Sequence, residues 1–238
     1  MKVSGIYRDI QPVGPLAGSP VVTVQSCLAD VGYPDVGAEV VLSEISRVDA
    51  KTGRVRLAGD EPMLQPKHDL FSLMDSLGLS GRRIVLETSG VHGLELVRSE
   101  FNMASVIVYL LPRMVHSGQR LDNLFASWAQ LRSDCGDCIL MMCETEEDIQ
   151  EAVIDLRKAE EGYGIQVPVY FYLDSPDAVT NKKIAEWFVH SIPEFRKLKI
   201  DARLGVKINY VPEQFARDKI KPGSASVLTG HSRKRARQ

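Results

Sequence analysis

The chain has 238 residues, 44% of them hydrophobic, and 29 basic against 31 acidic side chains give it a formal net charge of −2. That supplies one sizeable core and no global attraction to nucleic acid. No apolar run reaches the roughly 18–20 residues of a membrane span and no basic-then-apolar leader opens the sequence, so a cytoplasmic protein without membrane contact is expected.

Read in chain order, strand-like and helix-like stretches alternate. Val21-Val22-Thr23-Val24 is a β-branched run that predicts a buried strand, delivered by a Pro/Gly loop and followed at once by Cys27. Ala38 to Arg47 fits a helix or a short strand, and the pattern leaves both open. Arg54 to Leu57 predicts a second strand, running into the loop Gly59-Asp60-Glu61-Pro62. Within Leu64 to Leu77, the apolar residues Leu70, Leu73, Met74 and Leu77 have helical spacing, and Gly78 stops the pattern. Arg83 to Leu86, Ser105 to Leu111, Cys138 to Cys143 and Val167 to Leu173 predict four further strands. Helices are predicted over Leu121 to Leu131 and over Glu144 to Arg157, where Thr145 precedes acids in the first turn. Asp177 or Thr180 opens another through Ile184, Trp187 and Phe188, and Lys207 to Val211 closes the core.

Six strands alternating with helices imply an α/β fold with a parallel sheet and crossover helices, which a partial (β/α)6 TIM-type barrel satisfies. Ligands in such folds sit beyond the carboxyl ends of the strands, where the loops after Val24, Leu57 and Leu86 all lie. One domain over 1–220 is expected, followed by a disordered basic tail over 221–238 that ends in Arg233-Lys234-Arg235-Ala236-Arg237. A solvated tail is as open as one that touches nucleic-acid phosphates or acts as a localisation signal.

The stretch from Tyr7 to Asp35 and two later loops resemble the 7-carboxy-7-deazaguanine synthases, a radical S-adenosylmethionine (SAM) family. Tyr7, Ile10, Gln11 and Gly14 match the family's opening FxxIQGEG. Ala17, Gly18 and Pro20 match its spacer, and Val22 to Gln25 its first strand. Cys27 falls on the first cluster cysteine, Tyr33 on the aromatic before the third, and Asp35 on the aspartate after it. Leu57 to Gln65 is similar to LTGGEPLLQ, and Glu87-Thr88-Ser89-Gly90 to ETNG.

The resemblance implies a radical-SAM-type barrel, and it also marks what this chain lacks. A site-differentiated iron-sulfur cluster needs three thiolates, at C-x3-C-x2-C in this family. Here Cys27 is followed by Val31 and Pro34, neither of which can ligate a metal. Cys27 is then expected to be a small buried hydrophobe, a remnant of the cluster site. Gly59, Asp60, Glu61, Glu87 and Ser89 occupy the positions that would contact SAM, with Asp60 in place of the second glycine of GGEP. For Glu61, ligand contact and a loop carboxylate bonding backbone amides are weighed equally. Gln11, Gly14 and Asp35 survive from the substrate and magnesium elements, while Val13 and Val36 replace residues that offered lone pairs to a pterin and to magnesium. Lys199 to Gly205 lacks the glutamine and histidine of the family's QxHK-like segment.

Cys135 and Cys138 form a C-x2-C, and Cys143 follows, so a relocated metal site, a redox dithiol and plain structural thiols are all open. Cluster, magnesium and substrate elements are eroded together, which points to loss of the whole reaction. The expected protein is a cluster-less relative that binds or scaffolds in 7-deazapurine metabolism, without an iron-sulfur cluster or magnesium and with SAM as a possible ligand. Its expected partners are a second copy, an active paralogue, or a nucleotide-like small molecule. The competing expectation is an active radical SAM lyase, or another SAM or purine enzyme, using the relocated metal site.

Overall fold

The computed structural model describes residues 1–28, 33, 35–100, 105–112, 125–173 and 177–205. Eight strands form one sheet whose spatial order is the chain order: β1 (Val3–Ile10), β2 (Pro20–Ser26), β3 (Arg54–Gly59), β4 (Arg83–Thr88), β5 (Val106–Leu110), β6 (Cys138–Cys143), β7 (Val169–Leu173) and β8 (Ala202–Gly205). β1 is antiparallel to β2, and every later pair is parallel. The crossovers carry α1 (Ala38–Asp49), α2 (Lys67–Leu79), α3 (Glu95–Glu100), α4 (Phe125–Trp128), α5 (Glu146–Tyr163) and α6 (Ala178–Lys197). A parallel sheet laid down in chain order by right-handed crossovers has its helices on one face and leaves the other face as a trough. Among the described residues β1 and β8 are its edges and do not pair with each other, so the described sheet is open.

The six expected strands are present as β2 to β7; the open stretch after β2 is a helix, α3 between β4 and β5 is one the periodicity did not show, and at the ends β1 and β8 raise the strand count among the described residues to eight. Ser4, Gly5, Arg8 and Asp9 break the apolar alternation of β1. What makes it a strand is pairing with β2, in register from Ile6↔Val24 to Ile10↔Pro20, after a bulge between Val3 and Gly5. β8 is short and half exposed, and its pairing with β7 defines it. The predicted closing strand Lys207 to Val211 lies outside the described residues. So do Val31, Pro34, residues 121–124 of the predicted fourth-crossover helix, and the tail 221–238.

On the helix side, Val22, Val24, Leu57, Ile84, Leu86 and Val108 of the sheet meet the apolar stripes of the helices. Ala38–Asp49 resolves as a helix because Val41 and Ile45, one turn apart, are both fully buried. α2 buries the four residues its spacing predicts, each contributing about 1.5–3 kcal/mol. It starts later than predicted, at Lys67, because Pro66 stands at its N-cap and Pro62–Leu64 forms a separate 3-10 turn. α5 opens with a reciprocal cap between Thr145 and Asp148, and runs past its predicted end to Tyr163. Asp177 rather than Thr180 caps α6, accepting from the Val179 and Thr180 amides. Phe188 and Phe195 of α6 each pack on Phe171 of β7 with ring centroids 5.2 Å apart. No helix among the described residues is long and apolar enough to cross a membrane.

Candidate functional site

Strand register places Tyr7, Thr23, Arg56, Val85 and Ile107 in one row across the inner face of the trough. Nearer the carboxyl ends, Glu87, Tyr109 and Cys138 form the next row. Polar groups therefore gather over β1 to β4, and aromatic and apolar ones over β5 to β7.

The polar half is organised by Arg56. Its Nε and Nη2 donate to the two carboxylate oxygens of Glu87, both at 2.7 Å, a bidentate pair. Nη1 lies 3.6 Å from Asp9, which also accepts from Thr23 Oγ1. Burial alone would lower the guanidinium pKa, but the hydrogen bonds and charge of Glu87, with Asp9 behind it, hold it above its ordinary value. Gln11 Nε2 adds a 3.1 Å bond to Glu87, while its Oε1 is buried without a partner. Glu87, assigned by resemblance to a SAM contact, is thus occupied by the chain's own donors.

The apolar half is occupied as well. The loop between β1 and β2 closes on itself at the neck, where the Gln11 amide donates to the Ser19 carbonyl at 2.8 Å and the Gly18 amide to the Gln11 carbonyl at 2.9 Å. Its tip lies in the trough. Val13 packs into the cluster formed by Val85, Ile107, Tyr109, Cys138, Leu140 and Tyr172. The Gly14 amide donates to the Tyr172 hydroxyl at 2.6 Å and the Leu16 amide to the Tyr109 hydroxyl at 3.2 Å. Burial pushes both phenols up, so they stay protonated. Gly14 has a positive φ of 82°, and a Cβ there would come within 2.4 Å of the Tyr109 ring, so the fit depends on glycine.

At the rim, Cys27, Gly59 and Glu87 converge at the carboxyl ends of the adjacent strands β2, β3 and β4. Cys27 is 8% exposed, and burial, reinforced by the charge of Asp60 and opposed by Lys2, raises its thiol pKa above the ordinary range. Its carbonyl accepts from Gln65 Nε2, whose Oε1 accepts from the Lys2 amide. Gly59 has φ 117°, and a Cβ would meet the Ser26 carbonyl oxygen at 2.1 Å. The Asp60 carboxylate accepts from the Leu28 amide at 2.9 Å.

Glu61, 1% exposed, accepts from the Met63 amide, Thr88 Oγ1, the Ser89 amide and Ser89 Oγ at 2.6–3.1 Å. Of its two readings, the loop carboxylate is the one these bonds describe: it latches the end of β3 to the end of β4 and commits Ser89 at the same time. Asp35 is exposed and bridges to Lys2 at the start of β1, and Val36 is buried with its amide on the Met1 carbonyl. These residues do not fit an iron-sulfur cluster, because one buried, protonated thiol stands where three thiolates are needed. A separate pocket of about 360 Å³ opens on the helix side beside Met63, Leu64, Phe71, His92 and Leu96, away from the trough.

No protein-family model matches the chain, and no curated protein matches it in sequence. Among solved structures, it is similar to the crystal structure of QueE from Escherichia coli, with a TM-score of 0.62 and 17% identity over 87% of this chain and 94% of that one. The chain shares the fold of QueE. At that identity the likeness establishes architecture, an open α/β barrel, and leaves the chemistry to the residues.

The C-x2-C segment has a structural occupation of its own. On β6, Cys138 faces the trough and Cys143, five residues on, faces the helices, while Cys135 sits in the preceding turn. Among the described residues no three His, Cys, Asp or Glu side chains form a metal-ligand group. Burial pushes the Cys138 and Cys143 thiols well up, away from the thiolate form that metals need. The centre of this segment is Asp137, fully buried, which pairs with Arg98 and accepts from the Val108 amide at 2.7 Å and the Arg132 amide at 2.8 Å. Replacing Cys135 and Cys138 together by serine should leave the metal content of the purified protein unchanged. Stoichiometric zinc or iron lost in that variant would restore the metal reading.

Sequence reading missed Arg56, Asp137, Tyr109 and Tyr172. Arg56 had a signal: it sits between Val55 and Leu57, so in a strand it must face the opposite side from them, into the trough. The tyrosines had none, because their role depends on where the loop around Val13 lands.

Proposed function

We propose that the chain is a cluster-less relative of the 7-carboxy-7-deazaguanine synthases that keeps the open barrel without the radical reaction and works as a binding or scaffolding protein in 7-deazapurine metabolism. The observation that carries this reading is the chain's own loop seated in the trough, with Val13 on the wall where the resembled enzymes present a glutamate to their substrate. It is supported by the sequence at the cluster positions, where Cys27 is followed by Val31 and Pro34. It is supported also by the internal bonds that engage Asp60, Glu61, Glu87 and Ser89. Gln11 and Gly14, substrate positions by resemblance, are engaged by Glu87 and Tyr172, and Asp35 is the remaining one. A second copy or an active paralogue is the partner this reading calls for. SAM is the small molecule to test first.

Anaerobic reconstitution with iron and sulfide tests the proposal directly. The natural chain is expected to remain colourless and to leave SAM intact. A visible sulfur-to-iron absorbance band together with reductive SAM cleavage would overturn it. Val31→Cys combined with Pro34→Cys should allow a cluster to assemble without forming 7-carboxy-7-deazaguanine, because Asp60, Val13 and Val36 still prevent positioning and charge neutralisation. Product from that double variant would show that the cysteines were the whole defect.

A further inference from the structure

The opposite end of the sheet carries a pair of charges that nothing in the fold explains. Arg54 and Arg83 open β3 and β4 and are paired across the two strands. Val55 and Leu57, like Ile84 and Leu86, point to the helix side, so strand alternation turns both arginines toward the trough, at its amino-terminal mouth. Adjacent strands lie about 4.8 Å apart, which makes these like charges immediate neighbours, a destabilising arrangement unless something neutralises them.

Nothing described does so. Asp9, on β1, is engaged by Arg56, Thr23 and the Ile10 amide. Asp49 faces Arg8 and the Lys51 amide, and Arg82 reaches the Ala50 carbonyl. The side chains of Arg54 and Arg83 have no carboxylate partner among the described residues, and Arg54 Nε is buried with no acceptor. An orphaned buried donor is costly, and here it belongs to a fork built for oxyanions. Lys51 adds a third positive charge to the same mouth, in the turn whose Gly53 carbonyl accepts from the Arg83 amide.

We propose that the amino-terminal mouth of the barrel binds a phosphate group, free or as a phosphate monoester, between Arg54 and Arg83. A dianion with tetrahedral oxygens accepts from the outer nitrogens of both guanidinium groups at once and cancels the repulsion across the strand pair. The site lies at the other end of the strands from Cys27, Gly59 and Glu87, and its occupancy does not depend on whether the trough retains SAM or catalysis.

Thermal unfolding of the whole chain in chloride buffer of constant ionic strength, titrated with inorganic phosphate and separately with AMP, tests this. A saturable rise in Tm is expected, about 5 °C at one hundred times the dissociation constant. Saturation at lower AMP than phosphate identifies a phosphate ester as the ligand, and the reverse order identifies the free ion. Arg83→Gln, at an exposed position that leaves the fold intact, should weaken binding by about tenfold or more, and Arg54→Gln likewise. A rise that never saturates, or one that is the same in the natural chain and in Arg83→Gln, overturns the proposal.

Discussion

Replacing Arg56 by methionine is expected to destabilise the protein by about 3–5 kcal/mol, among the largest effects of any single substitution in the sheet. The side chain is 15% exposed and its removal strands Glu87, 9% exposed, with Asp9 beside it. The attraction between the partners matters less than the uncompensated carboxylate left inside. Chemical denaturation should therefore show a large drop for Arg56→Met alone. Adding Glu87→Gln to the same chain should recover a good part of it, since the buried charge is then gone. A loss below about 1 kcal/mol for the single variant would mean that water reaches Glu87 freely and that the pair is a surface ion pair.

Val13→Glu restores the residue type of the resembled enzymes and is expected to expel the loop from the trough. The introduced carboxyl would be packed against Val85, Ile107, Tyr109, Cys138 and Tyr172, with no cation among them. Desolvation raises its folded-state pKa above the unfolded value of about 4.3. The sign follows: the variant's deficit is full above the raised pKa, where the buried group must ionise or leave, and shrinks as the pH falls through it. Comparing the two proteins at pH 8 and pH 5 should show a gap of a few kcal/mol, by order of magnitude, closing at the lower pH. Limited proteolysis should cut the variant between Gln11 and Ser19 at pH 8 and spare the natural chain. If the variant is as stable and as resistant as the natural protein at pH 8, the loop does not fill the trough in solution.

The lack of two thiolates at the cluster-motif positions could be read without coordinates, because ligation is a property of residue type: Val31 and Pro34 have no donor atom wherever they sit. Glu61 shows the contrary case. Its place in a GGEP-like loop suggested a ligand contact as readily as a structural one, and the decision came from Thr88 and Ser89, some twenty-eight residues away, whose donors saturate it. The clustered thiols Cys135, Cys138 and Cys143 are a third example. Spacing alone allowed a shared metal, but β6 sends Cys138 and Cys143 to opposite faces, and alternation becomes decisive only once the strand boundaries are known.

By itself the sequence determined the six strands β2 to β7, the helices α2, α4, α5 and α6, the parallel sheet that this order requires, and the absence of a three-thiolate set at Cys27, but neither the helical state of α1 nor the existence of α3. These follow from local periodicity and from atoms present or missing in each side chain. Tertiary structure alone decided that β1 and β8 are strands, since polar and short segments become strands by the hydrogen bonds a neighbour offers. It alone decided that Arg56 satisfies Glu87, that Val13 and Gly14 fill the trough against Tyr109 and Tyr172, and that Arg54 and Arg83 stand side by side at its other end. Each of those contacts joins residues far apart in the chain or on different strands, and register across strands is fixed by the packing of the whole sheet rather than by any one segment.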